Sequence, residues 1–295
     1  MNDKFDLKHI YYRGTLRSCN YNCSYCPFRS QPLPANVDRD RLALERFCLR
    51  VPELGQDLSV MFVPRGEALI HSYYWEAMAN LCDNKNIRMV GCQTNLSFSV
   101  QRFALKLADC LKKVRLWCSF HPSQVGVNDF VAQCDELRRN EILFCVGAVG
   151  DPHNLDSLTD LRKQLPNDIY FWINSSKRHH SEYTPKEINA FISIDPLFSL
   201  ETTYIQSDST KCSAGKTSLL IEADGSAYAC NISKIRLGNI YNDNKLNLRN
   251  LCISKECSCY LAYANRTDIP ELSVFGENVV FRLYSHIQTK SLGCE

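Results

Sequence analysis

The sequence predicts an α/β fold built on a parallel sheet, followed by a smaller region of different texture. Three observations predict it. Short apolar runs rich in β-branched and aromatic residues begin near His9, Leu58, Ile87, Val114, Ile142 and Asp168, each with the composition of a buried strand. Helical patterns lie between them, and after a longer first unit the strand starts recur every 26 to 29 residues, the period of βαβ units. From about residue 200 the pattern breaks into shorter strand-like pieces, with turn signals at Asp224-Gly225 and Leu237-Gly238-Asn239. Six units fit an incomplete barrel or an open doubly wound sheet, and in both, function collects at the carboxyl ends of the strands. We expect two parts, 1–200 and 201–295, packed together because no low-complexity linker separates them.

The elements follow in order. The first strand, HIYYRGTL, runs straight into a cysteine-rich loop. The second, LSVMFV, ends in Phe62-Val63-Pro64-Arg65-Gly66-Glu67-Ala68, the third in Gly91-Cys92-Gln93-Thr94-Asn95 and the fourth in Ser119-Phe120-His121-Pro122. Asp129 to Arg139 reads as a helix with Phe130, Cys134 and Leu137 on one stripe. After the apolar run ILFCVGAV and the sixth strand, Tyr170 to Asn174, the run Thr184-Pro185-Lys186-Glu187 predicts a capped helix start.

Composition bounds the function. The chain has 295 residues, 34 Lys+Arg against 32 Asp+Glu for a net charge of +2, and 14 Phe, 14 Tyr and 3 Trp. Near-neutral charge argues against nucleic-acid binding by phosphate neutralisation, and the aromatic content against a disordered chain. The N-terminal MNDKFDLKHIYYRG carries charges and no apolar h-region, and the longest apolar stretches fall well short of the roughly 18 residues a membrane span needs. We therefore expect a cytoplasmic protein with no membrane partner. The 16 cysteines stand below the roughly 8–10% of a disulfide scaffold, and in a reducing compartment clustered cysteines point to metal or redox chemistry.

Two clusters stand out. Cys19, Cys23 and Cys26 form a Cys-x3-Cys-x2-Cys array in the loop after the first strand. Three thiolates on one loop can bind three irons of a cubane and leave the fourth open. This array, with Tyr25 before the third cysteine, resembles the signature of the radical-SAM superfamily. The resemblance implies a partial (β/α)6 TIM barrel in which a [4Fe-4S] cluster binds S-adenosylmethionine, whose reductive cleavage yields a 5′-deoxyadenosyl radical that abstracts a substrate hydrogen. Gly66 and Glu67 resemble the end of the family's Gly-Gly-Glu motif, with Arg65 in place of the first glycine, and imply contact with the methionine part of the cofactor. Asn95, Ser119 and His121 occupy strand ends where relatives place cofactor-facing polar groups, while Tyr170 to Asn174 fall where relatives contact adenine but read as core.

The second cluster comprises Cys212, Cys230, Cys252, Cys257 and Cys259. Its Cys-x12-Gly-x4-Cys spacing resembles the hairpin of twitch and SPASM domains, which implies a small C-terminal α+β domain holding an auxiliary [4Fe-4S] cluster. Cys212 and Cys230 would hold it with two of the later cysteines. We assign Cys257 and Cys259, leaving Cys252 as a candidate hydrogen-atom donor, with a ligand or packing role as its alternatives. Cys48, Cys82, Cys110, Cys134 and Cys145 read as core, and Cys92, Cys118 and Cys294 have no evident partner. Ala214-Gly215-Lys216-Thr217-Ser218 lacks the first glycine of a phosphate loop, Thr210 standing in its place.

The expected function is a radical-SAM enzyme that epimerises or oxidises a carbon of a sugar-like or aminoglycoside-like small molecule, with a flavodoxin, ferredoxin or reductase as electron donor. A narrower likeness is to neomycin C epimerase-like enzymes. The alternatives are a peptide maturase and a non-catalytic iron–sulfur electron-transfer protein.

Overall fold

The computed structural model describes residues 6–28, 36–176, 182–203, 205–233, 235–243, 245–249 and 251–285; Cys294 lies outside them. Strands β1 (His9–Arg13), β2 (Leu58–Phe62), β3 (Ile87–Thr94), β4 (Val114–Ser119), β5 (Leu143–Gly150) and β6 (Phe171–Ser175) alternate with helices α1 (Val37–Arg50), α2 (Ser72–Cys82), α3 (Val100–Lys106), α4 (Val127–Arg139) and α5 (Leu155–Gln164). Each parallel strand is added beside its predecessor, in the order β6-β5-β4-β3-β2-β1. No reversal of strand order occurs among them, so the winding is that of a barrel and not of a doubly wound sheet. β5 begins at Leu143 and β6 at Phe171, one and three residues later than the apolar pattern suggests. The chain before β6 is turned by Ile169 N–H donating to the Pro166 carbonyl, and pairing starts only where Val146 N–H reaches the Tyr170 carbonyl.

Two short helices, α6 (Pro185–Ile192) and α7 (Phe198–Thr202), follow β6. The expected capping box is present at α6: Thr184 Oγ1 accepts from Glu187 N–H, and Thr184 N–H donates to the Glu187 carboxylate at 2.7 Å. Position 200 lies inside α7, so the chain changes texture in mid-helix. The region beyond is joined to the barrel sheet. β7 (Ser218–Glu222) pairs in parallel with β1 on the edge opposite β2, and β8 (Ser226–Tyr228) and β9 (Arg236–Asn239) continue antiparallel in the same nine-stranded sheet. Leu237-Gly238-Asn239 lies in β9, not in a turn; the reversal comes later, where Asp243 N–H donates to the Asn239 carbonyl. The last α-helix, α8, spans Tyr260–Tyr263, and a kinked 3-10 segment, Pro270–Phe281, follows it.

Alternation divides the core into two. Ile10, Val60, Val90, Leu116, Val146 and Phe171 pack outward under the helices, while Tyr11, Met61, Trp117, Cys145 and Trp172 face the barrel interior. The interior is filled from within by the chain's last described stretch: Tyr260, Phe275, Phe281 and Leu283 belong to the inner cluster. Arg282 enters with them at φ 52°, its guanidinium carbon 3.4 Å from the Tyr260 ring centre and 3.8 Å from that of Trp172. Aromatic faces stabilise this buried cation where water cannot reach it. Gly91 shows how close the fit is. A Cβ there would stand 2.6 Å from Met61 Sδ and 2.7 Å from the Phe281 ring. Gly91→Ala should therefore destabilise the protein by about 1–3 kcal/mol in urea unfolding, and replacing Phe281 by Leu in the same chain should recover part of that loss.

Candidate functional site

The cysteine loop is seated by backbone before any metal is considered. Ser18 presents its carbonyl to Glu67 N–H at 2.9 Å, and a Cβ on Gly66 would stand 2.0 Å from that carbonyl oxygen. Gly66 is thus required by the approach of the loop's own backbone, one residue before Cys19. Asp40 of α1, wholly buried, holds the loop's beginning. Its carboxylate accepts from Leu16 N–H at 2.7 Å, Thr15 Oγ1 at 3.3 Å, Tyr73 Oη at 3.0 Å and Tyr74 Oη at 2.9 Å, so strand end, α1 and α2 meet at one side chain.

The strand ends grip the array from both sides. Asn95 donates through Nδ2 to Asn20 Oδ1 at 3.1 Å and toward Cys19 Sγ at 3.9 Å. On the other side, Tyr25 Oη lies 2.9 Å from His121 Nδ1, and Asn22 N–H donates to Gln124 Oε1 at 3.0 Å. Ser119, buried at the end of β4, carries the chain into this turn. Glu67 is placed differently from a free cofactor-facing acid: its carboxylate accepts from Leu69 N–H at 3.0 Å, Thr94 Oγ1 at 2.7 Å and Asn95 N–H at 2.5 Å. It straps β2 to β3, and burial pushes its pKa up to about 7 despite those bonds.

Cys19, Cys23 and Cys26 are all half-buried on this seat. Burial raises the Cys19 thiol, and it takes Cys23 up to about 11 with the neighbouring cysteines adding to the shift. No three described His, Cys, Asp or Glu side chains close round a single ion. The donor set itself is three soft thiols on one short loop, without a carboxylate or imidazole among them, and such a set fits an iron–sulfur cluster bound through three thiolates.

The second group divides differently from the spacing-based expectation. Cys212, Cys230, Cys252 and Cys257 line one small pocket with Ala229, Ala262 and Arg266. Cys259 is outside that lining. Its sulfur instead accepts from Asn231 Nδ2 at 3.4 Å, and Asn231 Oδ1 accepts from Arg13 Nη1 at 2.5 Å at the end of β1. Burial raises the thiols of Cys212, Cys257 and Cys259; for Cys257, taken up to about 11, Arg266 works in the opposite sense. Arg266 is itself held by Asp268 through two bonds of 2.8 and 2.7 Å. Four thiols round one pocket fit an auxiliary cluster. Cys82, Cys110, Cys134 and Cys145 are buried and Cys48 packs partly buried on the outer core, as expected, with Cys92 and Cys118 buried too.

Sequence reasoning missed Asp40, Gln124, Asn231 and Arg13. Asp40 was detectable, because it shares the buried stripe of α1 with Leu44 and Phe47 at helical spacing, where an acid must have partners. The others come from distant parts of the chain and carry no local signal.

No family model matches the chain, and no curated protein does. Its fold is similar to solved structures of anSMEcpe: with bound AdoMet, at TM-score 0.54 and 15% identity over 93% of this chain and 79% of that one, and with bound AdoMet and the Cp18Cys peptide, at TM-score 0.51 and 14% identity over 97% and 86%. The chain shares the overall fold of these structures, a parallel-stranded partial barrel with a further C-terminal region on the same sheet. Among the described residues no helix is long and apolar enough to cross a membrane.

Two outcomes follow from the seat. Asp40→Ala strands four donors, so it should cost about 2–4 kcal/mol in urea unfolding. Burial lowers His121 to a pKa of about 4, and burial with Arg88 and Lys8 does the same to His9. Both stay neutral when folded while the unfolded chain takes up protons, so stability should be full above the ordinary histidine pKa of 6.5 and fall as pH drops from there toward 4. His9→Gln should flatten that slope in thermal melts of the apoprotein.

Proposed function

We propose that the protein is a radical-SAM enzyme acting on a small polyhydroxylated molecule. The observation that carries this is the three-cysteine loop locked on Gly66, Asn95 and His121 at the strand carboxyl ends of a barrel of this fold. When bound, a [4Fe-4S] cluster and S-adenosylmethionine supply one-electron cleavage to a 5′-deoxyadenosyl radical that abstracts hydrogen from carbon. Cys19, Cys23 and Cys26 would hold that cluster. Gly66 keeps the floor clear for the loop, and Asn95, Ser119 and His121 offer neutral polar groups around it.

Cys212, Cys230, Cys252 and Cys257 would hold an auxiliary cluster, which moves the ligand role from Cys259 to Cys252. Cys259 then becomes the thiol on the barrel side, bonded through Asn231 to Arg13 of β1. In this reading Cys259 returns a hydrogen atom to a substrate carbon, and the resulting sulfur radical is restored by one electron from a flavodoxin- or ferredoxin-class donor and one proton from solvent. That step makes the reaction an epimerisation; without it, loss of a proton to solvent and of one electron to a flavodoxin- or ferredoxin-class acceptor makes it an oxidation.

A second reading, a peptide-modifying enzyme, takes its support from the fold likeness to anSMEcpe with bound peptide. Anaerobically reconstituted protein given S-adenosylmethionine and dithionite should form 5′-deoxyadenosine, and a Cys19/Cys23/Cys26 triple Ala variant should form none. Absence of that product from the wild type would end the enzyme reading. Iron analysis separates the later cysteines. Cys252→Ala should lose about four irons, one cubane, whereas Cys259→Ala should keep them and lose only the solvent-derived deuterium entering product in deuterated buffer.

A further inference from the structure

The interior face of the barrel changes character toward its mouth. Two residues beyond the inward-facing Tyr11, Trp117, Trp172 and Leu220, alternation brings Arg13, Ser119, Asn174 and Glu222 to the same face. Arg13 and Glu222 are direct partners in the β1–β7 register. Arg65, from the turn after β2, joins them with Nη2 3.6 Å from Glu222 Oε2, the two side chains 29% and 28% exposed.

We propose that Arg65 and Arg13 form a binding site for a carboxylate of the substrate, with Glu222 as their shared counter-ion. The inference rests on the enzyme reading above and adds the substrate's charge. Two guanidiniums share one acid, which leaves one positive charge uncompensated in a partly enclosed place. Arg13 is engaged, donating to Asn231 Oδ1 at 2.5 Å and to the Val63 carbonyl at 3.4 Å. Arg65 is not: its distance to Glu222 exceeds hydrogen-bond reach, and no other acceptor holds it among the described residues. A planar donor fork held open beside a second cation suits a planar carboxylate. The count of charge selects likewise, since one negative charge balances the surplus and a phosphate dianion would overshoot it beside Glu222.

Position makes the site relevant to the reaction. Arg65 immediately precedes Gly66, against which the first cysteine loop is seated, and Arg13 reaches through Asn231 to Cys259. A carboxylate held there would place its molecule between the two cysteine groups, over the end of β1.

The test is phenylglyoxal labelling of the anaerobic, reconstituted enzyme, with modification of Arg65 read by peptide mass spectrometry. D-glucuronate at about ten times its half-protecting concentration, and acetate at higher concentration, should slow labelling of Arg65 about tenfold, as occupancy of one site requires, while methyl β-D-glucoside should leave it unchanged. Arg13→Gln should weaken glucuronate protection about tenfold and Glu222→Gln should strengthen it, so the two variants move in opposite directions and misfolding of one does not remove the test. Equal protection by the neutral glucoside, none by either carboxylate, or stronger protection by glucose 6-phosphate would overturn the proposal. Full protection by S-adenosylmethionine alone would overturn it too, by assigning the pair to the cofactor's carboxylate. Labelling needs no turnover, so protection without 5′-deoxyadenosine formation would remove the enzyme reading and leave the site standing.

Discussion

The arrangement depends on one close approach, the Ser18 carbonyl lying against the backbone of Gly66 and bonding to Glu67 N–H. It fixes where the first strand's loop crosses the second strand's end, and therefore where three thiols stand relative to the barrel mouth. Nothing larger than hydrogen is tolerated at 66, because the atom in the way is backbone and cannot swing aside. Asp40 secures the same loop from below by taking Leu16 N–H, and Glu67 secures the neighbouring strand end by taking Thr94 and Asn95. Two buried acids thus act through geometry, each satisfied by donors from separate elements, and together they fix the loop's course.

How much of this was legible in the sequence differs by kind of signal. Strand starts at His9, Leu58, Ile87 and Val114 coincide with the structure because apolar period and parallel pairing express the same burial. The capped start at Thr184 was legible because the two halves of its box, Thr184 and Glu187, are close neighbours in sequence. Pairing partners were not. That β7 would add to β1 depends on an edge left open by a barrel that does not close, and no property of residues 218–222 announces it. Gly238 shows the same limit: a glycine next to an asparagine is a turn signal by composition, yet its place is set by Ala227 across the hairpin.

Among the five later cysteines, spacing offered several ways to choose four, and it favoured the near pair Cys257 and Cys259. Residues two apart in extended chain lie on one side, and Cys259 is itself extended, with φ −156° and ψ 158°; the chain turns only after it, where Ala262 N–H returns to its carbonyl. Cys252 reaches the pocket from the other direction. A reading by spacing alone treats the chain as a line and does not say that Cys252 lines the pocket with Cys257.

β1 is the element common to everything described. On one side it pairs with β2, whose end carries Arg65 and Gly66; on the other it pairs with β7, whose end carries Glu222 and leads into the hairpin bearing Cys230. Strand pairing has a fixed spacing of about 4.8 Å, so the strand ends from which the two cysteine groups' loops leave are set side by side along β1. Chemistry that needs two thiol-rich sites at a constant separation, with a charged anchor between them, is served by such a spine more directly than by a hinged second domain. The continuous sheet is therefore the reason that Arg13, at the end of that strand, contacts groups from both parts.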